Sequence, residues 1–231
     1  MRFQDAARDG RAVVYAGIQA DPLVERAARL LATAGGPERV MARAVMNGES
    51  TDPAHWMAMF PTLFGSGPAA TSDPATRSHA EAILAVSLAV AERGEQARSQ
   101  FRGAIVEALT AHLLAGRAGS DPAAIRRERR VLFDGVRAEI HPYDVTVEVD
   151  GGAEAWDCKW GARGINADVL HQLDDARTNA ADEDERLRVG LVVFDAERSC
   201  AVRLDRQTAP HEDTVVIGLE ELDRLSEAPA R

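Results

Sequence analysis

Tyr143-Asp144-Val145-Thr146-Val147-Glu148-Val149-Asp150-Gly151-Gly152-Ala153-Glu154-Ala155-Trp156-Asp157-Cys158-Lys159-Trp160 is the stretch on which the reading of this chain turns. Side chains of a β-strand alternate between its two faces. Over 143–149 that rule sets the valines on one face and Asp144, Thr146 and Glu148 on the other. Over 155–160 it groups Trp156, Cys158 and Trp160, and it leaves Asp157 and Lys159 together on the opposite side. Asp150-Gly151-Gly152 is a turn signal, so the two strands are expected to form a hairpin. Asp144 and Asp157 then approach each other across neighbouring strands, with Lys159 alongside.

Working outward, 101–116 has helical periodicity, with Phe101, Ile105, Leu109 and Leu113 on one stripe and Gly116 as the stop. Asp121-Pro122 opens what reads as a short basic helix through Arg130, followed by a strand at Val131-Leu132-Phe133. A helix is expected from about Ala167 to Ala180, strands at 188–194, 200–204 and 214–217, and a terminal helix at 219–225. This order predicts an α/β fold with a mixed sheet flanked by helices.

Residues 1–95 read as a helical N-terminal region, a candidate for dimerisation or for partner or substrate contacts. Asp21-Pro22 caps one helix and Gly35-Gly36 stops it. Others are expected from Pro37, after Asp52-Pro53, and over 77–93. Gly65-Ser66-Gly67-Pro68-Ala69-Ala70 faintly echoes a phosphate-binding turn. Such a turn needs a strand before it and a helix after it, and Pro68 sits inside, so it reads as a plain loop. The remaining domain is expected to span 96–231.

The 231 residues suffice for a large core, and no apolar run approaches the ~20 residues that span a bilayer. No membrane segment or secretory signal is read, and a cytoplasmic location is expected. Two cysteines, Cys158 and Cys200, without a CxxC or a His/Cys cluster, argue against a disulfide framework and a structural zinc. A net charge of −10 argues against a protein that coats nucleic acid, which needs a basic face. It is compatible with a cation-binding site.

Two carboxylates held together repel unless a cation or proton compensates. Hard oxygen ligands of this kind suit Mg²⁺, with Mn²⁺ as a substitute. A lysine two residues on can orient or help deprotonate an attacking water, or stabilise negative charge on phosphate. These are the parts needed for phosphodiester hydrolysis.

Pro142-Tyr143-Asp144, twelve intervening residues and Asp157-Cys158-Lys159 together resemble the signature of the PD-(D/E)XK, or restriction-endonuclease-like, nucleases. Tyr143, between the proline and the aspartate, departs from the strict pattern. The resemblance spans roughly residues 97–217 and implies an αβββαβ core. It implies a metal held by Asp144, Asp157 and the Cys158 carbonyl, with Lys159 serving the water. An acidic residue on the preceding helix completes such sites, and Glu107 occupies that place. Gln172, on the helix after the lysine strand, is the expected polar accessory to catalysis. The resemblance further implies an endonuclease rather than an exonuclease, acting on DNA rather than RNA. Restriction, repair or antiviral defence would be its setting, as a homodimer or a subunit of a larger complex.

Arg126, Arg127, Arg129 and Arg130 form the best basic patch, with Arg126, Arg127 and Arg130 the candidates for nucleic acid; on a helix Arg126 and Arg130 share a face. Glu148 lies about 13 Å along the strand from Asp144, too far to join it. His141 and His171 are weaker neighbours, and 182–185 reads as a solvated acidic loop. The alternative function is a non-catalytic subunit of the same fold that binds nucleic acid or a partner protein.

Overall fold

The computed structural model describes residues 1–6, 10–66, 73–134, 136–137, 141–149, 152–209 and 213–227. The glycine-rich stretch falls partly outside these residues, from 67 on, as do 150–151 of the expected hairpin turn. The chain divides into two compact units: 10–109, and 1–9 with 110–231. The sequence pattern placed the division near residue 95. In the structure it falls within a single helix.

The first unit is helical: α1 (Gly10–Gln19), α2 (Pro22–Ala32), α3 (Gly36–Asn47), α4 (Pro53–Met59), α5 (Pro61–Phe64), α6 (Pro74–Ala91) and the start of α7 (Glu95–Ala115). Asp21-Pro22 and Asp52-Pro53 open helices as expected, and Asp73-Pro74 does the same three residues ahead of the expected start at 77. Asp21, Asp52 and Asp73 each accept a backbone N–H of the first turn, while the following proline takes a position that needs no donor. Leu31, Met41, Val45, Ile83 and Leu84 are among the buried apolar side chains of this unit.

The second unit is built on a mixed sheet of β1 (Arg2–Asp5), β2 (Ile125–Phe133), β3 (Val136–Arg137), β4 (Tyr143–Val149), β5 (Gly152–Lys159), β6 (Leu187–Val193) and β7 (Val215–Ile217). Spatial order is β1-β2-β4-β5-β6-β7, with β3 paired to β2 off this path. Pairing is antiparallel as far as β4–β5 and parallel for β5–β6 and β6–β7. The parallel step requires a crossover, which α8 (Ala167–Asp182) provides. Its Leu170, Leu173 and Ala176 bury against Ala155, Val189, Leu191 and Val193. On the other face the end of α7 meets β5, where the Cys158 thiol donates to the Thr110 hydroxyl at 3.4 Å. The fold class is therefore α/β, with helices on both faces of a mixed sheet. A short helix, α9 (Glu197–Leu204), follows β6.

Three local expectations are corrected. The basic helix through Arg130 is instead a three-residue 3₁₀ turn, Pro122–Ala124, that leads into β2. Arginine and glutamate favour helix in isolation. Here the segment has a strand to pair with on each side, and that tertiary pairing prevails. Residues 200–204 were expected as a strand but belong to α9, five residues being too few to reveal their period. The terminal 219–226 segment winds as 3₁₀ rather than α-helix.

Candidate metal and phosphate site

β4 and β5 pair from Val149↔Gly152 to Val145↔Trp156, one residue pair short of Asp144 and Asp157. There the strands part. The Asp144 carboxylate takes the place of the ladder, its Oδ2 accepting the Cys158 N–H at 2.6 Å. This charge-assisted bond fixes the aspartate at the mouth of the split. The alternation read from the sequence sets the pair on neighbouring strands; the side-chain bond that takes over where the ladder ends was not legible in it.

Asp157 is buried next to Leu191 of β6, and its Oδ1 accepts from Lys159 Nζ at 2.7 Å. Lys159, 27% exposed in its side chain, ends β5. Burial pulls its ammonium toward neutrality. The carboxylates of Asp157 and Asp144 outweigh that, and the pKa is held above the ordinary 10.5. At neutral pH this lysine is a cation that compensates the two aspartates. It is also the only lysine among the chain's 27 lysines and arginines, a signal present in the sequence. A lysine's compact ammonium can give up a proton, whereas a guanidinium effectively cannot.

The stem of Lys159 lies under Gly164. A Cβ there would stand 2.8, 2.9 and 3.0 Å from the lysine's Cδ, Cγ and Cβ, so only glycine fits against the stem in this position. Cys158, whose carbonyl the resemblance offers to a metal, sits between the two site residues of β5 and joins Asp144 through its N–H.

Glu128 was missed. It lies in β2 between Arg127↔Val145 and Arg129↔Tyr143, at the level of Asp144. Carboxylate oxygens of Glu128 and Asp144 lie within 4.8 Å of each other. Its φ of 54° is left-handed, which a non-glycine residue inside a strand adopts only when its surroundings hold it there. The available signal was an acidic residue in the middle of Arg126-Arg127-Glu128-Arg129-Arg130. A helical reading of that run groups its positive charges and hides the one acidic residue among them.

The other candidates are placed as follows. Glu107 lies on the part of α7 that belongs to the helical unit. There it is buried, with Oε1 accepting from the Tyr15 hydroxyl at 2.5 Å and Oε2 from Gln19 Nε2 at 2.7 Å. Gln172 is buried and clamps the backbone of His141. Its Nε2 donates to the His141 carbonyl at 3.2 Å and its Oε1 accepts the His141 N–H at 3.4 Å. It holds the approach to β4, three residues before Asp144. His141 and His171 are exposed.

Arg126, Arg127 and Arg130 lie on strand β2, so the shared helical face assumed for Arg126 and Arg130 does not exist. Arg126 is exposed opposite Thr146, Arg127 lies opposite Val145, and Arg130 lies opposite Gln4 of β1. Arg129 pairs with Asp5 and Glu148 at 2.9 and 3.1 Å, which gives Glu148 a partner away from Asp144. Glu183 and Glu185, in the acidic loop, accept from the Met1 amine.

Asp144, Asp157 and Glu128 are hard oxygen donors, matched to Mg²⁺ or Mn²⁺ rather than to a soft metal. Asp157 and Asp144 face one ammonium, and Glu128 stands beside Asp144; this donor chemistry is the fit for such an ion. No protein family, curated protein or solved structure matches this chain. Among the described residues no helix is long and apolar enough to cross a membrane.

Proposed function

We propose that the chain is a Mg²⁺-dependent endonuclease, acting on DNA, with a restriction-endonuclease-like core formed by α7, β2, β4, β5, α8 and β6. One observation carries the reading. Asp144 and Asp157 converge on the sole lysine where β4 and β5 part, in the D…D-x-K order of that nuclease superfamily. The order of elements supports it: a helix, then β2, the short β3, β4 and β5, then a helix and β6.

In this reading Asp144 and Asp157 hold the ion, and Glu128 is placed to share it through its proximity to Asp144. The Cys158 carbonyl completes the set by resemblance. The bound ion would polarise a phosphate oxygen and supply an activated water. Lys159 contributes as a cation: its raised pKa favours orienting that water and stabilising charge on the phosphate over abstracting a proton. Mn²⁺ should substitute. Arg126, exposed on β2, would contact the substrate backbone. Gln172 serves through the His141 backbone rather than at the reacting atoms. A homodimer or a larger assembly would bring the second active site that cutting both strands requires, and antiviral defence, restriction or repair in the cytoplasm is the setting.

The test is to incubate purified protein with plasmid and, separately, with RNA under Mg²⁺, Mn²⁺ or EDTA, beside Asp157→Ala and Lys159→Ala. Metal-dependent cleavage lost in both variants is expected. Cleavage that persists in EDTA or in the variants overturns the mechanism. Inert wild-type protein points to the non-catalytic binding subunit.

A further inference from the structure

The lysine side chain is held at two ends. Its head is fixed by Asp157. Its stem is confined by Gly164, the last residue of the 3₁₀ turn Ala162–Gly164, which packs against three of its methylenes. What holds that turn in place lies just beyond the neighbouring strand. Asp195 follows β6 and is nearly fully buried. Its Oδ2 accepts the N–H of Ala162 at 3.0 Å and its Oδ1 accepts the N–H of Ala196 at 2.8 Å. The link is reinforced close by. The Phe194 N–H donates to the Lys159 carbonyl at 2.8 Å, and the Trp160 and Phe194 rings stack with centroids 5.0 Å apart. Arg203 of α9 donates to the Ile165 carbonyl at 2.8 Å, closing the far end of the turn.

A carboxylate out of water is costly unless its oxygens are hydrogen-bonded. Asp195 meets that cost with two backbone amides, one of which is the first N–H of the turn over Lys159. A helical turn's first N–H groups have no partner of their own, and a negative charge is the strongest acceptor for them.

We infer that Asp195 is a positioning residue for Lys159, acting through the Ala162–Gly164 turn. Its carboxylate bonds the backbone amides of Ala162 and Ala196, and it reaches the lysine through the turn. Its effect on chemistry rests on the nuclease reading above; its effect on where the lysine sits does not. In the folded protein the turn clamps the lysine stem so that the ammonium points along one direction at the mouth between β4 and β5. Without the Asp195 bond to Ala162 the turn lifts, and the lysine samples several rotamers. Reacting groups misplaced by about 1 Å lose on the order of a hundredfold in rate.

Because Lys159 is the only lysine, protein grown with ¹³C-lysine shows one side-chain ε-methylene. In wild type, without metal, its two Hε protons are expected at distinct shifts, the mark of a restrained side chain. In Asp195→Ala they should merge into one averaged signal while the thermal transition stays cooperative. Cleavage of plasmid with Mg²⁺ should show kcat down about tenfold or more with KM unchanged. If Asp195→Ala does not fold, Ala162→Pro replaces it. That change deletes the N–H at the first position of the turn, where proline is well accommodated, and leaves Asp195 in place. Two distinct Hε signals retained in the folded variant overturn the inference, whatever the cleavage assay shows. Merged signals with an inert wild-type enzyme support the positioning role and reject the nuclease reading.

Discussion

At the scale of single residues the site is a balance of charge. Asp157 has its closest cation in Lys159, and Asp144 acts on the same ammonium. Removing the cation leaves carboxylates that are poorly solvated and mutually repelling. Lys159→Met is therefore expected to destabilise the metal-free protein by about 2 kcal/mol, less than a fully buried pair would cost because the lysine is partly exposed. Urea unfolding in EDTA measures this. If the proposed ion binds, adding Mg²⁺ should recover more stability in the variant than in wild type, since an ion held by the folded state would fill the missing charge. Lys159 also gives the pH dependence a sign. Its pKa is raised on folding, so its contribution is fully present below the ordinary 10.5 and is lost as pH rises through the higher folded value. Between pH 10 and 12, in EDTA, wild type should lose more stability than Lys159→Met. Equal losses would show that the ion pair contributes nothing.

At the scale of elements, β2 is where local pattern and final structure disagree most. Asp121-Pro122 followed by Ile125-Arg126-Arg127-Glu128-Arg129-Arg130 carries every local mark of a helix start. Nothing in it reports that β1 and β4 will offer hydrogen bonds along both sides. Asp144, Asp157 and Lys159 were legible because strand alternation is a rigid rule and the turn between them is short. Glu128 was not, because its place depends on a register between segments about fifteen residues apart and on a left-handed φ that no side-chain pattern announces. That φ yields a prediction. Glu128→Gly should relieve backbone strain and carboxylate repulsion, leaving the metal-free protein as stable as wild type or up to about 1 kcal/mol more so. The same change should raise the Mg²⁺ concentration for half-maximal cleavage about tenfold. A large loss of stability with unaltered metal dependence would assign Glu128 a purely structural role.

At the scale of the whole molecule, the mixed sheet with α8 and the end of α7 from Thr110 on supplies a frame, and the proposed chemistry sits where the β4–β5 ladder ends. A net charge of −10 means that long-range attraction does not bring DNA to the protein. On the proposed reading, binding would come from the metal and from local cations such as Arg126. The fold class follows from sequence periodicity, whereas the helical unit of residues 10–109 carries no readable chemistry apart from Glu107. Its seat between Tyr15 and Gln19 required the packed helices to become visible. The central claim, that Asp144, Asp157 and Lys159 form a metal-dependent phosphodiesterase site, is tested most directly by the initial rate of supercoiled plasmid nicking as Mg²⁺ is raised, in wild type and Asp157→Ala. The account predicts a saturable rise in wild type, abolished by EDTA, and a rate at least about a thousandfold lower in the variant, of the order seen when a key electrostatic group is removed. Equal rates in the two proteins, or nicking that survives EDTA, would contradict it.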